Sequence, residues 1–161
     1  MSVAVFPGSF DPITFGHIDV VKRARSMFDR VIVAVAKNSR KRYTFSDEER
    51  LSFVQKAVEN IEGVDAELVD GLIADFAQER GAHALVKGLR GAEDYAQEQA
   101  MALLNRHLSG IDTVFLVSDP TLAHIASSYV KEIAHYGGVF DDCVPADVAA
   151  ALHQKVRDGR V

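Results

Sequence analysis

Pro7-Gly8-Ser9-Phe10-Asp11-Pro12-Ile13-Thr14-Phe15-Gly16-His17 separates a short apolar run, Val3-Ala4-Val5-Phe6, from a segment in which Ile18, Val20, Val21, Ala24 and Phe28 recur at mostly helical spacing. The pattern is a strand joined to an amphipathic helix through a loop, with Gly16 and His17 in the first helical turn. The start of a helix presents N–H groups that have no partner within the helix, together with the positive end of its dipole, and so suits an anion. Gly8 and Gly16 leave no Cβ in the way of a ligand. The stretch reads as a loop built for phosphate, and the chain as one that handles a nucleotide there.

Beyond this unit, strand-like and helix-like runs alternate through most of the sequence, the pattern of a parallel sheet covered by helices. Strands are expected near 2–6, 30–36, 65–69, 83–87 and 112–117, and helices near 16–28, 47–60, 72–80, 92–108, 125–135 and 146–157. Ser46 with Glu49 forms a capping box, Gly81 follows a helix and Pro145 sits at a helix start. The fold class is therefore α/β, a doubly wound parallel sheet of five strands. It is expected as one domain over 1–161, with the last helix, about 146–157, as a packing appendage. Leu103, Leu104 and Leu108 are expected to form a buried stripe on the 92–108 helix.

Composition limits the partners. A chain of 161 residues, 48% hydrophobic and with net charge −5, offers no general surface for nucleic acid, so an anion site must come from local clustering of basic residues. No apolar run approaches a membrane span, and no basic stretch precedes the first strand as in a secretory leader. The single cysteine, Cys143, gives no internal disulfide and no zinc cluster, and fits a reducing cytoplasm.

The basic and polar residues fall in a telling order on this outline. His17 follows the first strand, Lys41 the second, Lys87 and Arg90 the fourth, and Ser127 and Ser128 the fifth. In an open parallel sheet the carboxyl ends of the strands face one crevice, where ligands bind. Several cations gathered there by an acidic chain would neutralise phosphates. Singly, Arg40-Lys41-Arg42 also fits a solvated loop, and Ser127-Ser128 also fits helix-terminal hydroxyls that satisfy backbone groups. Asp94 and Glu98, four apart on one helix face, could hold magnesium or a ribose hydroxyl, or equally form a solvent face.

Familiar devices of other chemistries are missing. There is no Gly-x-x-x-x-Gly-Lys-Ser/Thr loop, no Gly-x-Gly-x-x-Gly after a strand and no nucleophile elbow. Donors and cations alone suit direct displacement at phosphorus without a covalent intermediate.

Thr14-Phe15-Gly16-His17 resembles the T/H-x-G-H signature of the nucleotidyltransferase superfamily, and Ile125-Ala126-Ser127-Ser128-Tyr129-Val130-Lys131 resembles its serine-rich second motif. Pro7-Gly8-Ser9-Phe10-Asp11-Pro12, Lys87-Gly88-Leu89-Arg90 and Asn105-Arg106-His107 are similar, within it, to the bacterial phosphopantetheine adenylyltransferase family over nearly the whole chain. The resemblance implies a Rossmann-like nucleotidyltransferase fold and transfer of AMP from ATP to 4′-phosphopantetheine, giving dephospho-coenzyme A and pyrophosphate with Mg²⁺. It also implies a homohexamer and feedback inhibition by coenzyme A. By position, it implies His17, Lys41 and Arg90 as the catalytic set. Ser9, Phe10, His17, Gly88, Leu89, Arg90, Glu98, Leu122, Ala123, His124, Ile125, Ala126, Ser127 and Ser128 would surround ATP, and Ser9, Lys41, Ile73 and Lys87 the acceptor. The chain departs from the family pattern at Ala126, Leu122, His124 and Tyr95-Ala96-Gln97-Glu98. Two other readings stay open: a related transferase with a different phosphate acceptor, and a nucleotide-binding regulatory domain on the same fold.

Overall fold

A computed structural model describes the whole chain, residues 1–161. Five strands, β1 (Val3–Gly8), β2 (Arg30–Lys37), β3 (Val64–Asp70), β4 (Ala84–Leu89) and β5 (Thr113–Val117), are linked by helices α1 (Phe15–Met27), α2 (Asp47–Val58), α3 (Ile73–Glu79) and α4 (Ala92–Ser109). Two further helices, α5 (Ser127–His135) and α6 (Ala146–Arg157), follow β5. Neighbouring strands all pair in parallel, in the order β3-β2-β1-β4-β5, so the doubly wound α/β sheet read from the sequence is the one that forms. The chain winds outward from β1 to β3, then crosses back to β4 and β5. β1 and β4 therefore flank the point where the winding reverses, the place where such sheets bind ligands.

Both faces of the sheet are covered, which is why its central strands are apolar almost without interruption. Ala4 and Phe6 of β1 and Val31, Val33 and Val35 of β2 face the larger core, where they meet Val20, Val21 and Ala24 of α1, Val54 and Val58 of α2, and Val130 of α5. The alternate residues, Val3, Val5, Ile32 and Ala34, face Phe76 and Ala77 of α3. The last helix, α6, sets Val148, Ala149 and Leu152 into the larger core. No helix is long and apolar enough to cross a membrane.

Two features differ from the sequence-based expectation. β1 and β4 each run two residues further, with Pro7↔Ala34, Gly8↔Val35, Gly88↔Leu116 and Leu89↔Val117 in register. Proline and glycine mark loops in a sequence, but here pairing continues on the outer side of each strand. Between the two strands it stops after Ala4↔Ala84 and Val5↔Leu85, and they splay apart beyond. The second difference corrects the buried stripe on α4: Leu103, Leu104 and Leu108 are 60%, 47% and 44% exposed, and no residue of α4 is buried. Periodicity reveals an apolar face but not what covers it, and in the single chain nothing covers this one.

Candidate active site

The chain leaves β1 through Ser9 to Ile13 and enters α1. Phe10 has a φ of 47°, a left-handed conformation that costs an L-residue about 1–2 kcal/mol. Packing offsets that strain, because the ring is buried edge-on against Phe6 at 5.3 Å and His17 at 4.9 Å. A Cβ on Gly8 would come within 3.0 Å of the same ring, so glycine there makes room for Phe10 as well as for a ligand. The Asp11–Pro12 peptide is cis. The buried Asp11 carboxylate accepts from the backbone N–H groups of Thr44 and Phe45, both at 3.0 Å, and from Lys131 Nζ at 2.9 Å. One side chain thus ties the loop to the segment before α2 and to α5.

α1 begins with a reciprocal cap. Thr14 Oγ1 accepts from the His17 N–H at 3.4 Å, and the Thr14 N–H donates to His17 Nδ1 at 3.0 Å. A ring nitrogen that accepts carries no hydrogen, so the neutral imidazole has its hydrogen on Nε2. Burial above all, then the charges of Lys87 and Arg90, push the pKa of His17 down from 6.5 to about 4. At neutral pH the ring is therefore an uncharged donor, held in one tautomer by the helix cap.

Where β1 and β4 splay, a cleft of about 320 Å³ opens over the carboxyl ends of the strands. A second cavity of about 310 Å³ lies beside it, between the ends of β1, β2 and β4 and the flank of α4. Pro7, Gly8, Ser9, Lys87 and Glu98 belong to both, forming a shared wall. On that wall Lys87 Nζ sits 3.3 Å from Glu98 Oε1 and donates to the Pro7 carbonyl at 3.3 Å, while Lys41 Nζ reaches Ser9 Oγ at 3.4 Å. Two helix N-termini face the first cleft, α1 through Gly16 and His17 and α5 through Ser127 and Ser128. No side chain caps α5. The Ser127 hydroxyl instead donates to the Pro12 carbonyl at 2.8 Å and pins α5 to the β1–α1 loop. The first turn of α5 is left open to an anion.

The structure sorts the expected residues between the two spaces. Ser9, Phe10, His17, Gly88, Arg90, Glu98, Leu122, Ile125, Ala126, Ser127 and Ser128 line the first cleft, whereas Leu89, Ala123 and His124 do not. Ser9, Lys41, Ile73 and Lys87 line the second cavity. Asp94 and Glu98 each meet a cation. Asp94 accepts from the Arg90 backbone N–H at 2.8 Å and from its Nε and terminal nitrogen at 3.1 and 3.2 Å, so it aims the guanidinium, as Glu98 holds Lys87. No three His, Cys, Asp or Glu side chains come together as a metal site.

Some residues of the site carried no signal of their own in the sequence: Ser118 lines the first cleft, and Met101, Ala102 and Thr113 the second. Gln97 in the first and Asn105 in the second stood out only as members of longer runs, with no role assigned to them. Arg50, buried behind Ser9, stands at an inward position of α2 in the series Arg50, Val54, Val58. An arginine in an apolar stripe was the available clue.

A model of the cytidylyltransferase-like family matches residues 5–133. A phosphopantetheine adenylyltransferase of Thermotoga neapolitana is 45% identical over 159 residues, 98% of this chain and 99% of that one. The protein of the same name from Cutibacterium acnes is 47% identical over 152 residues, 94% of this chain and 97% of its own. Among solved structures, a bifunctional NMN adenylyltransferase/ADP ribose pyrophosphatase from Francisella tularensis superposes with a TM-score of 0.71 at 12% identity, over 97% of this chain and 50% of that one. A putative nicotinate-nucleotide adenylyltransferase from Vibrio parahaemolyticus superposes with a TM-score of 0.68 at 15% identity, over 97% and 94%. At that distance the structures speak for the fold.

Proposed function

The chain belongs to the phosphopantetheine adenylyltransferase family, and from that premise we propose that it transfers AMP from ATP directly to the phosphate of 4′-phosphopantetheine, releasing pyrophosphate and forming dephospho-coenzyme A. The observation that carries the mechanism is the shared wall: two cavities meet at Ser9 and Lys87, beside His17.

ATP occupies the first cleft in this reading, with its phosphates over the N-termini of α1 and α5 and beside Arg90. The acceptor lies in the second cavity, its phosphate between Lys41 and Lys87 and its pantetheine arm past Ile73. An acceptor phosphate oxygen attacks the α-phosphorus, a new P–O bond forms, and the bond to the bridging oxygen of the β-phosphate breaks, so pyrophosphate leaves with that electron pair. The attacking group is already an anion at neutral pH, so no base is needed. The work of the protein is to hold two anions in line and to stabilise charge on the five-coordinate phosphorus. The Nε2–H of His17 and the cations do this.

Magnesium enters as part of the substrate. Asp94 and Glu98 are paired with Arg90 and Lys87, and no cluster of three ligating side chains exists to hold a resident ion. Magnesium would be carried in on the phosphates of ATP and would offset part of their charge, beside Arg90 and Lys87. We propose further that the chain works in the cytoplasm as a homohexamer that coenzyme A inhibits. Support for assembly comes from α4, whose Met101, Leu103, Leu104 and Leu108 are exposed in the single chain.

The test compares acceptors in one pyrophosphate-release assay. Turnover with 4′-phosphopantetheine and none with nicotinamide mononucleotide or a sugar phosphate is expected. The reverse order would overturn the choice of acceptor, and ATP binding without any turnover would make the chain a nucleotide sensor.

A further inference from the structure

Arg50 is the bulkiest of the fully buried side chains. A guanidinium cannot shed its charge inside a protein, so its donors must find acceptors there. One terminal nitrogen donates to the Ser9 carbonyl at 2.6 Å and to the Ala36 carbonyl at 2.9 Å, and the other donates to Asp47 Oδ1. Its plane lies over the Tyr43 ring, 3.9 Å from the centroid, while Nε–H has no acceptor. These partners are not scattered. Ser9 stands on the wall between the two cavities, and Ala36 lines the second cavity where β2 ends and the segment carrying Lys41 departs. Tyr43, whose hydroxyl donates to the Ala36 carbonyl at 3.4 Å, is where that segment returns. One buried cation therefore joins both ends of the Lys41 loop to the residue placed between the substrates.

We propose that Arg50 is a positioning residue of the transfer reaction, fixing Ser9 and the Lys41 loop relative to each other so that the acceptor phosphate lies in line with the α-phosphate. The inference rests on the adenylyl transfer proposed above. Arg50 lines neither cavity and acts through Ser9 and the loop, so its loss disturbs the alignment of two bound ligands more than the affinity for either one. Misplacement by about 1 Å costs about 10² in rate. Lysine keeps the charge but offers a point donor in place of a fork, and cannot hold two carbonyls and Asp47 in one plane.

The experiment measures kcat, both KM values and thermal stability for wild type, Arg50→Lys, Arg50→Met and Asp47→Ala. A wild-type protein that fails to use 4′-phosphopantetheine defeats the proposed function itself, a result separate from any behaviour of the variants. With an active wild type, kcat should fall about 10-fold in Arg50→Lys and about 10²-fold in Arg50→Met, with each KM within about threefold. A purely structural arginine would lower the melting temperature and leave kcat per folded molecule intact. Folded Arg50 variants that keep kcat within threefold, or that lose efficiency through KM alone, overturn the proposal. If neither variant folds, Asp47→Ala decides, because it leaves Arg50 in place and removes one anchor. A kcat at least threefold lower at unchanged KM supports the positioning role, and a smaller loss overturns it.

Discussion

Replacing His17 with alanine deletes one neutral N–H donor from the cleft, and the structure sets the scale of the loss. A preorganised donor to a transition-state oxygen is worth about 2.7–4 kcal/mol, so kcat should fall about 10²–10³-fold. The structural cost is smaller, because the Thr14 N–H loses one acceptor, worth about 1 kcal/mol. The same residue makes stability depend on pH. Its folded pKa, about 4, lies below the ordinary 6.5, so between those values the unfolded chain binds more protons than the folded one, and stability rises with pH. The contribution is complete above pH 6.5 and disappears as pH falls through 4, about 3 kcal/mol in all. Pyrophosphate release gives the kinetic effect, urea unfolding at several pH values gives the slope, and NMR titration of the ring gives its midpoint. His17→Ala should lose both the rate and that slope. A folded His17→Ala protein with wild-type kcat, or a wild-type ring that titrates near 6.5, would refute the reasoning.

The division of labour between the cavities predicts opposite losses. Lys41→Ala should weaken 4′-phosphopantetheine binding by about 1–3 kcal/mol and leave ATP nearly untouched, with Arg90→Ala doing the reverse, in calorimetric titrations at physiological ionic strength. Equal losses of both ligands in both variants would mean that the two cations act only as general positive potential. Asp11→Ala strips three donors of their acceptor and leaves Lys131 without its partner, so urea unfolding should show a loss of about 3–5 kcal/mol. A loss under about 1 kcal/mol would show that the carboxylate is dispensable to the loop. If the chain assembles as proposed, wild type should have the solution mass of a hexamer in light scattering and the paired change Leu104→Glu with Leu108→Glu should reduce it to smaller species; an undisturbed mass would place the interface elsewhere, and a monomeric wild type would overturn the proposed assembly.

Much of the fold could be read because its signals are local. Alternation of apolar strands with 3.6-period helices gave the elements, and the Ser46–Glu49 capping box forms as the spacing indicated. Pro7-Gly8 misled because local chemistry marks a loop, while pairing with β2 carries the strand through both residues. The leucines of α4 misled for another reason: amphipathicity is local, but its burial depends on what lies opposite. In the site, Lys41 and Lys87 could be placed by counting strand ends. That Leu89, Ala123 and His124 stand outside the lining of the first cleft could not be read that way, because whether a residue lines a cleft depends on the path of its loop or strand. Arg50 stayed hidden because its partners, Ser9, Ala36 and Tyr43, meet only in three dimensions, and two of its contacts are backbone carbonyls that every sequence has.

The central claim is that AMP passes in one step from ATP to the phosphate of 4′-phosphopantetheine across the wall formed by Ser9 and Lys87. The most direct measurement supplies ATP made chiral by sulfur at the α-phosphorus, together with magnesium and 4′-phosphopantetheine, and determines the configuration of the dephospho-coenzyme A thiophosphate formed. A single in-line displacement predicts product with inverted configuration. Retention would require two displacements and a covalent intermediate, and would contradict the account, as would the absence of any thiophosphate product from an enzyme that turns over ATP with another acceptor.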